Sequence, residues 1–191
     1  MKRGSRTILT VIVTIVVLVC IAVAVGFAVM FSGVISVAAT TPDLPIVAWV
    51  LDNTMEHSVE AHARDVIVPA DYNNIDLRAG YDRFNDMCIF CHGAPGVEPE
   101  WLKKGLRPDP PNLAVTASDW TPAQVFWIVD HGIKMTGMPA MGAMYPEGDV
   151  WTVAAFVKSL PKLTAEQYKT FGQSAGGDSA GQNRPPGESG G

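Results

Sequence analysis

The string Cys88-Ile89-Phe90-Cys91-His92 is the sequence feature that most restricts how this chain can fold. Two cysteines separated by two residues and followed at once by histidine form the C-x-x-C-H pattern of covalent c-type haem attachment. Each thiol can form a thioether with one haem vinyl group, and the adjacent imidazole can then bind the iron as its proximal ligand. The pattern predicts a fold built around one covalent haem c, attached at Cys88 and Cys91 and ligated by His92.

Two other uses of a C-x-x-C pair find less support in the rest of the sequence. A redox-active dithiol of the thioredoxin type requires a βαβ context, and a zinc ribbon requires a second cysteine pair. The one remaining cysteine is Cys20, which lies inside a long apolar run. Haem attachment is therefore the favoured interpretation of the motif.

That apolar run extends from Ile8 to Phe31 without a charged residue and follows three basic residues. Its 24 residues would form a helix about 36 Å long, enough to cross a bilayer core. A signal peptide is the competing interpretation, with small residues at 36–39 as a cleavage site, but its apolar region is usually only about 7–15 residues long. The charge pattern predicts a cytoplasmic N-terminus at 1–7 and a transmembrane anchor at 8–31. Everything after the anchor is then expected on the periplasmic side of a bacterial inner membrane.

The exported part of the chain is predicted to be acidic. The whole chain has 14 basic and 19 acidic residues; with Lys2, Arg3 and Arg6 before the span, 11 basic residues remain against 19 acidic ones, a formal charge of −8. This balance argues against nucleic acid as a partner and is compatible with a basic docking face on another redox protein.

A connector and a tail are predicted to flank the folded domain. The connector at 32–72 contains a predicted helix that starts with Asp43 and Pro45, is apolar from Ile46 to Leu51 and becomes polar from Asp52 to Arg64. We interpret it as a juxtamembrane helix on lipid or on a neighbouring subunit, with packing on its own domain as the alternative. The tail at 172–191 is rich in Gly, Ser, Pro and Gln, which predicts disorder.

Between them, residues 73–171 are predicted to form an all-α domain. Apolar spacing of three and four residues indicates a first helix over about 77–90. A second helix begins after Ser118 or Thr121 and stops at Gly132, and a third runs from about Asp149 to Leu160. Because no strand pair with hairpin chemistry appears, the predicted fold is a small helical domain wrapped around the haem.

The loop after the second predicted helix offers a second axial ligand. Methionine thioether is a frequent distal ligand in electron-transfer haems and raises their potential. The loop contains four methionines within ten residues, at positions 135, 138, 141 and 144. Met138 is the predicted ligand because Gly137 and Pro139 on either side could fix its orientation. Met141 and Met135 are the next candidates, and ligation by a second histidine is a further alternative, through His57, His62 or His131.

Taken together, these residues resemble those of class I cytochromes c, in particular single-haem, membrane-anchored bacterial members. The resemblance covers about 76–160: Gly80 and Phe84 match the glycine and aromatic residue of the family's N-terminal helix. Phe156 takes the aromatic place of its C-terminal helix, and the 136–140 segment is similar to its methionine loop. The resemblance implies that the two helices cross at Gly80. It also implies that a proline carbonyl, for which Pro111 is the candidate, accepts a hydrogen bond from the proximal imidazole.

The expected function is single-electron transfer without transformation of a substrate. A His/Met-ligated monohaem carrier, tethered to the membrane, would serve a respiratory or photosynthetic chain. Its partners would be a dehydrogenase or quinol-oxidising complex on one side and a terminal oxidase or reductase on the other. It could also be a stable cytochrome subunit of such a complex. The alternatives are a haem enzyme or gas-binding protein with an open distal site, such as a peroxidase, and an assembly subunit whose haem is structural.

Overall fold

The computed structural model describes residues 3–99 and 101–176, and no strand occurs in these ranges. The α-helices are α1 (Arg3–Ser32), α2 (Pro45–His62), α3 (Leu77–Met87), α4 (Ile89–His92), α5 (Leu113–Thr116), α6 (Pro122–His131), α7 (Glu147–Ser159) and α8 (Ala165–Gly176). Short 3-10 helices occupy Ala63–Asp65, Tyr72–Asn74, Trp101–Gly105, Ala117–Asp119, Met141–Ala143 and Leu160–Lys162. The predicted all-α class is confirmed.

The chain divides into two units, Met1–Thr41 and Pro42–Gly191. The first unit consists mainly of α1, which contains the whole predicted anchor. Its segment Arg6–Ser32 has a mean hydropathy of 3.3 and none of it is buried by protein. The hydroxyl groups of Thr10 and Thr14 donate to backbone carbonyls four residues earlier, each at 2.9 Å, so these polar atoms are satisfied within the helix. By length and composition α1 is suited to crossing a membrane.

The core of the second unit is the crossing of α3 and α7. A Cβ atom at Gly80 would lie 2.7 Å from the Cβ atom of Phe156 and in contact with the carbonyl oxygen of Thr152, so the helices touch backbone to backbone here. One turn further along α3, the Phe84 ring is fully buried with its centroid 5.5 Å from that of Phe156. The predicted crossing at Gly80 is therefore present.

Helix α6 begins and ends at the positions that its sequence predicts. Thr121 and Gln124 form a capping box: the Gln124 N–H donates to Thr121 Oγ1 at 3.3 Å, and the Thr121 N–H donates to Gln124 Oε1 at 2.7 Å. Gly132, with φ of +64°, ends the helix in a conformation that L side chains rarely adopt. Phe126 then stacks on Trp151 of α7 with centroids 4.1 Å apart, which fixes α6 against the core.

The first predicted helix is interrupted at the haem-attachment motif. Instead of one helix over 77–90, α3 ends at Met87 and α4 begins at Ile89. The Cys88 carbonyl accepts from the N–H groups of both Cys91 and His92, at 3.2 and 3.0 Å. This separate helical turn brings Cys88, Cys91 and His92 close together.

Helix α8 was not predicted, and it continues to Gly176, five residues into the segment 172–191 that composition marks as disordered. Its start is fixed by a second capping box, formed by Thr164 and Gln167. Buried Tyr168 donates from its hydroxyl group to Asn85 Oδ1 at 2.9 Å, which ties α8 to α3. Residues 177–191, the rest of the predicted tail, lie outside the described residues.

Lys158 is expected to contribute measurably to the stability of this unit. Its ammonium group donates to the carbonyl oxygens of Ala117, at 2.7 Å, and of Trp120. Lys158→Met keeps most of the aliphatic stem but removes the charged donor, and should lower the free energy of unfolding by about 2 kcal/mol. Lys162→Met, at an exposed position, is the control and should change it by less than about 0.5 kcal/mol. Urea unfolding of the haem-loaded chain measures both, and equal effects would contradict the assignment.

Candidate haem site

A cavity of about 350 Å³ lies between the core helices and the loops that connect them. Its volume is within the range of about 300–1,000 Å³ that small-molecule and cofactor sites occupy. The lining residues include all three residues of the attachment motif and apolar side chains of α6 and α7: Cys88, Cys91, His92, Val125, Ile128, Val129, Val153 and Val157. The residues predicted to attach and bind the haem therefore line one mostly apolar cavity.

The His92 imidazole is held by a single backbone acceptor. Its Nδ1 atom lies 2.9 Å from the carbonyl oxygen of Pro111. Because a carbonyl oxygen can only accept, Nδ1 must carry the proton, and Nε2 is left with a free lone pair for a metal. This is the proline contact that the resemblance implies, and Pro111 provides it.

The electrostatics of the motif argue against a reactive dithiol. Burial raises the pKa of Cys88 to about 12, with the neighbouring Cys91 as a second cause, and burial also raises the pKa of Cys91. A reactive dithiol requires the opposite shift. Burial lowers the pKa of His92, and the positive charge of Lys103 also lowers it, whereas the hydrogen bond to Pro111 raises it. The net lowering of the pKa favours the neutral imidazole, which is the form that binds metals. In the described part of the chain, no three His, Cys, Asp or Glu residues converge on a metal site of the zinc-ribbon kind.

The structure distinguishes among the four methionines of the loop. Met135 is 91% exposed and Met144 is 53% exposed, and neither lines the cavity. Met138 and Met141 both line it. Met141 is buried and belongs to the hydrophobic core that also contains Val150 of α7, so protein packing accounts for its position.

Met138 is half-buried on a loop whose backbone is fixed by hydrogen bonds. Its N–H donates to Thr136 Oγ1 at 3.1 Å, and its carbonyl accepts from the Ile133 N–H at 3.3 Å. Gly132 allows the loop to turn back, because a Cβ atom there would lie 2.7 Å from the Met138 carbonyl oxygen. This arrangement holds position 138 at the cavity wall.

The sequence analysis did not predict that α2 contributes to the cavity wall. Asp52 and Met55 line the same cavity, and Val59, one turn further on, is buried. The C-terminal half of the predicted juxtamembrane helix thus packs on its own domain, which was the alternative interpretation. The spacing of Met55, Val59 and Ala63, four residues apart, is the signal that could have shown this.

The alternative of a second histidine ligand finds no support in the cavity. His92 is the one histidine among the described residues that line it. His62 and His131 instead stack on Trp127, with ring centroids 5.4 and 4.7 Å away. The residues that are present fit a c-type haem: two thiols, a neutral imidazole with a free Nε2, thioether side chains and apolar walls.

Comparison with known families agrees with this chemistry. The family model described as cytochrome c oxidase, cbb3-type, subunit III matches residues 75–157, which include the motif, Pro111 and Met138. No curated protein and no solved structure matches the chain. This family implies a covalently bound haem, and the predicted attachment residues Cys88 and Cys91 line the cavity. Residues 75–157 are therefore a class I c-type cytochrome domain.

Proposed function

We propose that this chain is a membrane-tethered monohaem cytochrome c that carries single electrons. One haem c would be attached through Cys88 and Cys91, with His92 and Met138 as the axial ligands of its iron. The observation that carries the proposal is that these four residues line one apolar cavity, in which the His92 imidazole is already oriented by Pro111. The single C-x-x-C-H motif in the sequence supports one haem.

The bound haem iron supplies one-electron oxidation and reduction. The protein's part is to hold its ligands and keep water away from the iron. Pro111 fixes the His92 ring and Thr136 fixes the backbone of Met138, so little reorganisation accompanies a change in iron charge. The apolar side chains of α6 and α7 exclude water from the cavity, and an acid–base residue is not needed for this reaction.

The N-terminal anchor determines where the proposed carrier is located in the cell. With basic residues before the span and the haem domain after it, we infer a single-pass anchor in the bacterial inner membrane and a periplasmic haem domain. A tether raises the effective concentration of partners in the same bilayer. These partners would be a dehydrogenase or quinol-oxidising complex as donor and a terminal oxidase or reductase as acceptor. The family description, which names an oxidase subunit, favours a terminal oxidase as partner or host complex.

Optical spectra of the full chain, oxidised and reduced, with and without carbon monoxide, test the proposal. Six-coordinate His/Met ligation predicts a low-spin c-type spectrum, a near-infrared sulfur-to-iron band in the oxidised protein and no response to carbon monoxide. A high-spin spectrum that shifts with carbon monoxide would show an open distal site. That result would contradict the carrier and support a peroxidase-like or gas-binding protein.

A further inference from the structure

The two halves of α2 have opposite environments. In its C-terminal half Met55 lines the haem cavity and Val59 is 1% exposed. In the first two turns the large apolar side chains point into solvent, including Ile46 at 64%, Trp49 at 61% and Leu51 at 58% exposure. Val47 and Val50 are also exposed. One helix therefore has one half packed on its own domain and the other half uncovered.

The uncovered half is a contiguous apolar segment with no charge of its own. Residues 44–51 contain no acidic or basic side chain, and Asp43 and Asp52 flank them. Apolar residues that are exposed singly are common, but a contiguous group of this kind usually marks a binding surface. Trp49 adds a side chain with an apolar body and an N–H group, the type that concentrates at membrane–water interfaces.

The position of this segment in the chain indicates what covers it. Only 12 residues separate the end of α1 at Ser32 from Pro45. Even fully extended, they span no more than about 43 Å. Once α1 lies in a bilayer, the first turns of α2 stay within that distance of the membrane surface. Lipid is therefore an apolar phase within reach of these turns.

We propose that residues 45–51, the interfacial turns of α2, bind the lipid headgroup–acyl boundary of the membrane that α1 anchors. Because these turns carry no Lys or Arg, the binding is apolar and needs no anionic lipid. The inference rests on the proposed membrane anchoring and deepens it. Since Asp52 and Met55 of the same helix line the haem cavity, the bound turns would keep that cavity close to the bilayer surface.

Lipid photocrosslinking of the haem-loaded full chain tests this interaction. The chain is placed in nanodiscs of phosphatidylcholine that includes a photoactivatable phosphatidylcholine, with the reactive group near the ester carbonyls. Adducts mapped by mass spectrometry are expected on residues 45–51 at about ten times the frequency on α7 peptides. Adducts on the anchor at 8–31 report insertion independently. Anchor adducts without α2 adducts would overturn the lipid contact and leave the anchoring proposal intact.

Thiol accessibility provides a second measurement with a matched control. In a Cys20→Ala background, Val50→Cys lies in the interfacial turns and Glu60→Cys lies on the exposed part of the packed half. A charged thiol reagent should modify position 60 about tenfold faster than position 50 in nanodiscs of neutral lipid, at low and high salt alike. Equal rates would overturn the proposal. A second pattern would also overturn the proposal: slow modification at position 50, crosslinks between two copies of the chain, and no lipid adducts. That pattern would show that a second copy of the chain, and not lipid, covers these turns. The haem spectrum of each sample tests the proposed electron carrier independently of the lipid contact.

Discussion

Gly80→Ala is expected to lower the free energy of unfolding by about 3 kcal/mol or more, because it forces apart the two helices that form the core. The added methyl group would lie 2.7 Å from the Cβ atom of Phe156 and against the carbonyl oxygen of Thr152. Both atoms belong to the framework of α7, so no side-chain rotation relieves the contact. A loss of this size is a large part of the about 5–15 kcal/mol that stabilises an ordinary domain.

Gly148→Ala is the matched control for this prediction. Gly148 lies in α7 itself, and a Cβ atom there would meet nothing within 4 Å. Alanine favours helix by about 1 kcal/mol over glycine, so this variant should be as stable as the parent chain or slightly more stable. Urea unfolding of the haem-loaded chains, with the fraction of haem retained as a second readout, measures the difference. If the two variants unfold at the same urea concentration, the close helix crossing does not control stability.

A helix could be predicted from the sequence where the interactions that define its ends are local in the chain. Helix α6 was predicted because Thr121, Pro122 and Gly132 mark its ends within a few residues of its apolar face. The break at Cys88 was not predicted, because apolar periodicity continues across it. Helix α8 was not predicted, although Thr164 and Gln167 form a local capping pair at its start. The contacts that hold it, such as Tyr168 with Asn85, join residues far apart in the chain.

The same distinction applies to the site. The motif predicted Cys88, Cys91 and His92 because the chemistry of haem attachment requires closely spaced positions. Local sequence ranked Met138 first but could not exclude Met135, whose 91% exposure is a property of the folded loop. Met55 was missed because only tertiary packing brings α2 to the cavity. Motifs with short spacing can be recognised in the sequence. Cavity-lining residues from a helix far away in the chain cannot be recognised in this way.

Met138→Leu is expected to open the distal side of the iron. Leucine nearly conserves the volume of methionine, so the apolar wall should stay filled, but it has no sulfur to bind iron. The near-infrared sulfur-to-iron band should disappear, and the reduced protein should gain a carbon monoxide response. The reduction potential should fall by roughly 0.1 V or more, since a thioether ligand stabilises ferrous iron and axial ligands set haem potentials over about 0.8 V.

Two substitutions in the same loop make the Met138 assignment specific. Met141→Leu removes the other methionine that lines the cavity, and it should retain the band because Met141 is buried in core packing. Met135→Leu alters an exposed side chain and should leave the spectrum unchanged. If the band survives in Met138→Leu and is lost in Met141→Leu, then Met141 is the ligand. In that case the hydrogen bond from the Met138 N–H to Thr136 stabilises the loop only and does not position an iron ligand.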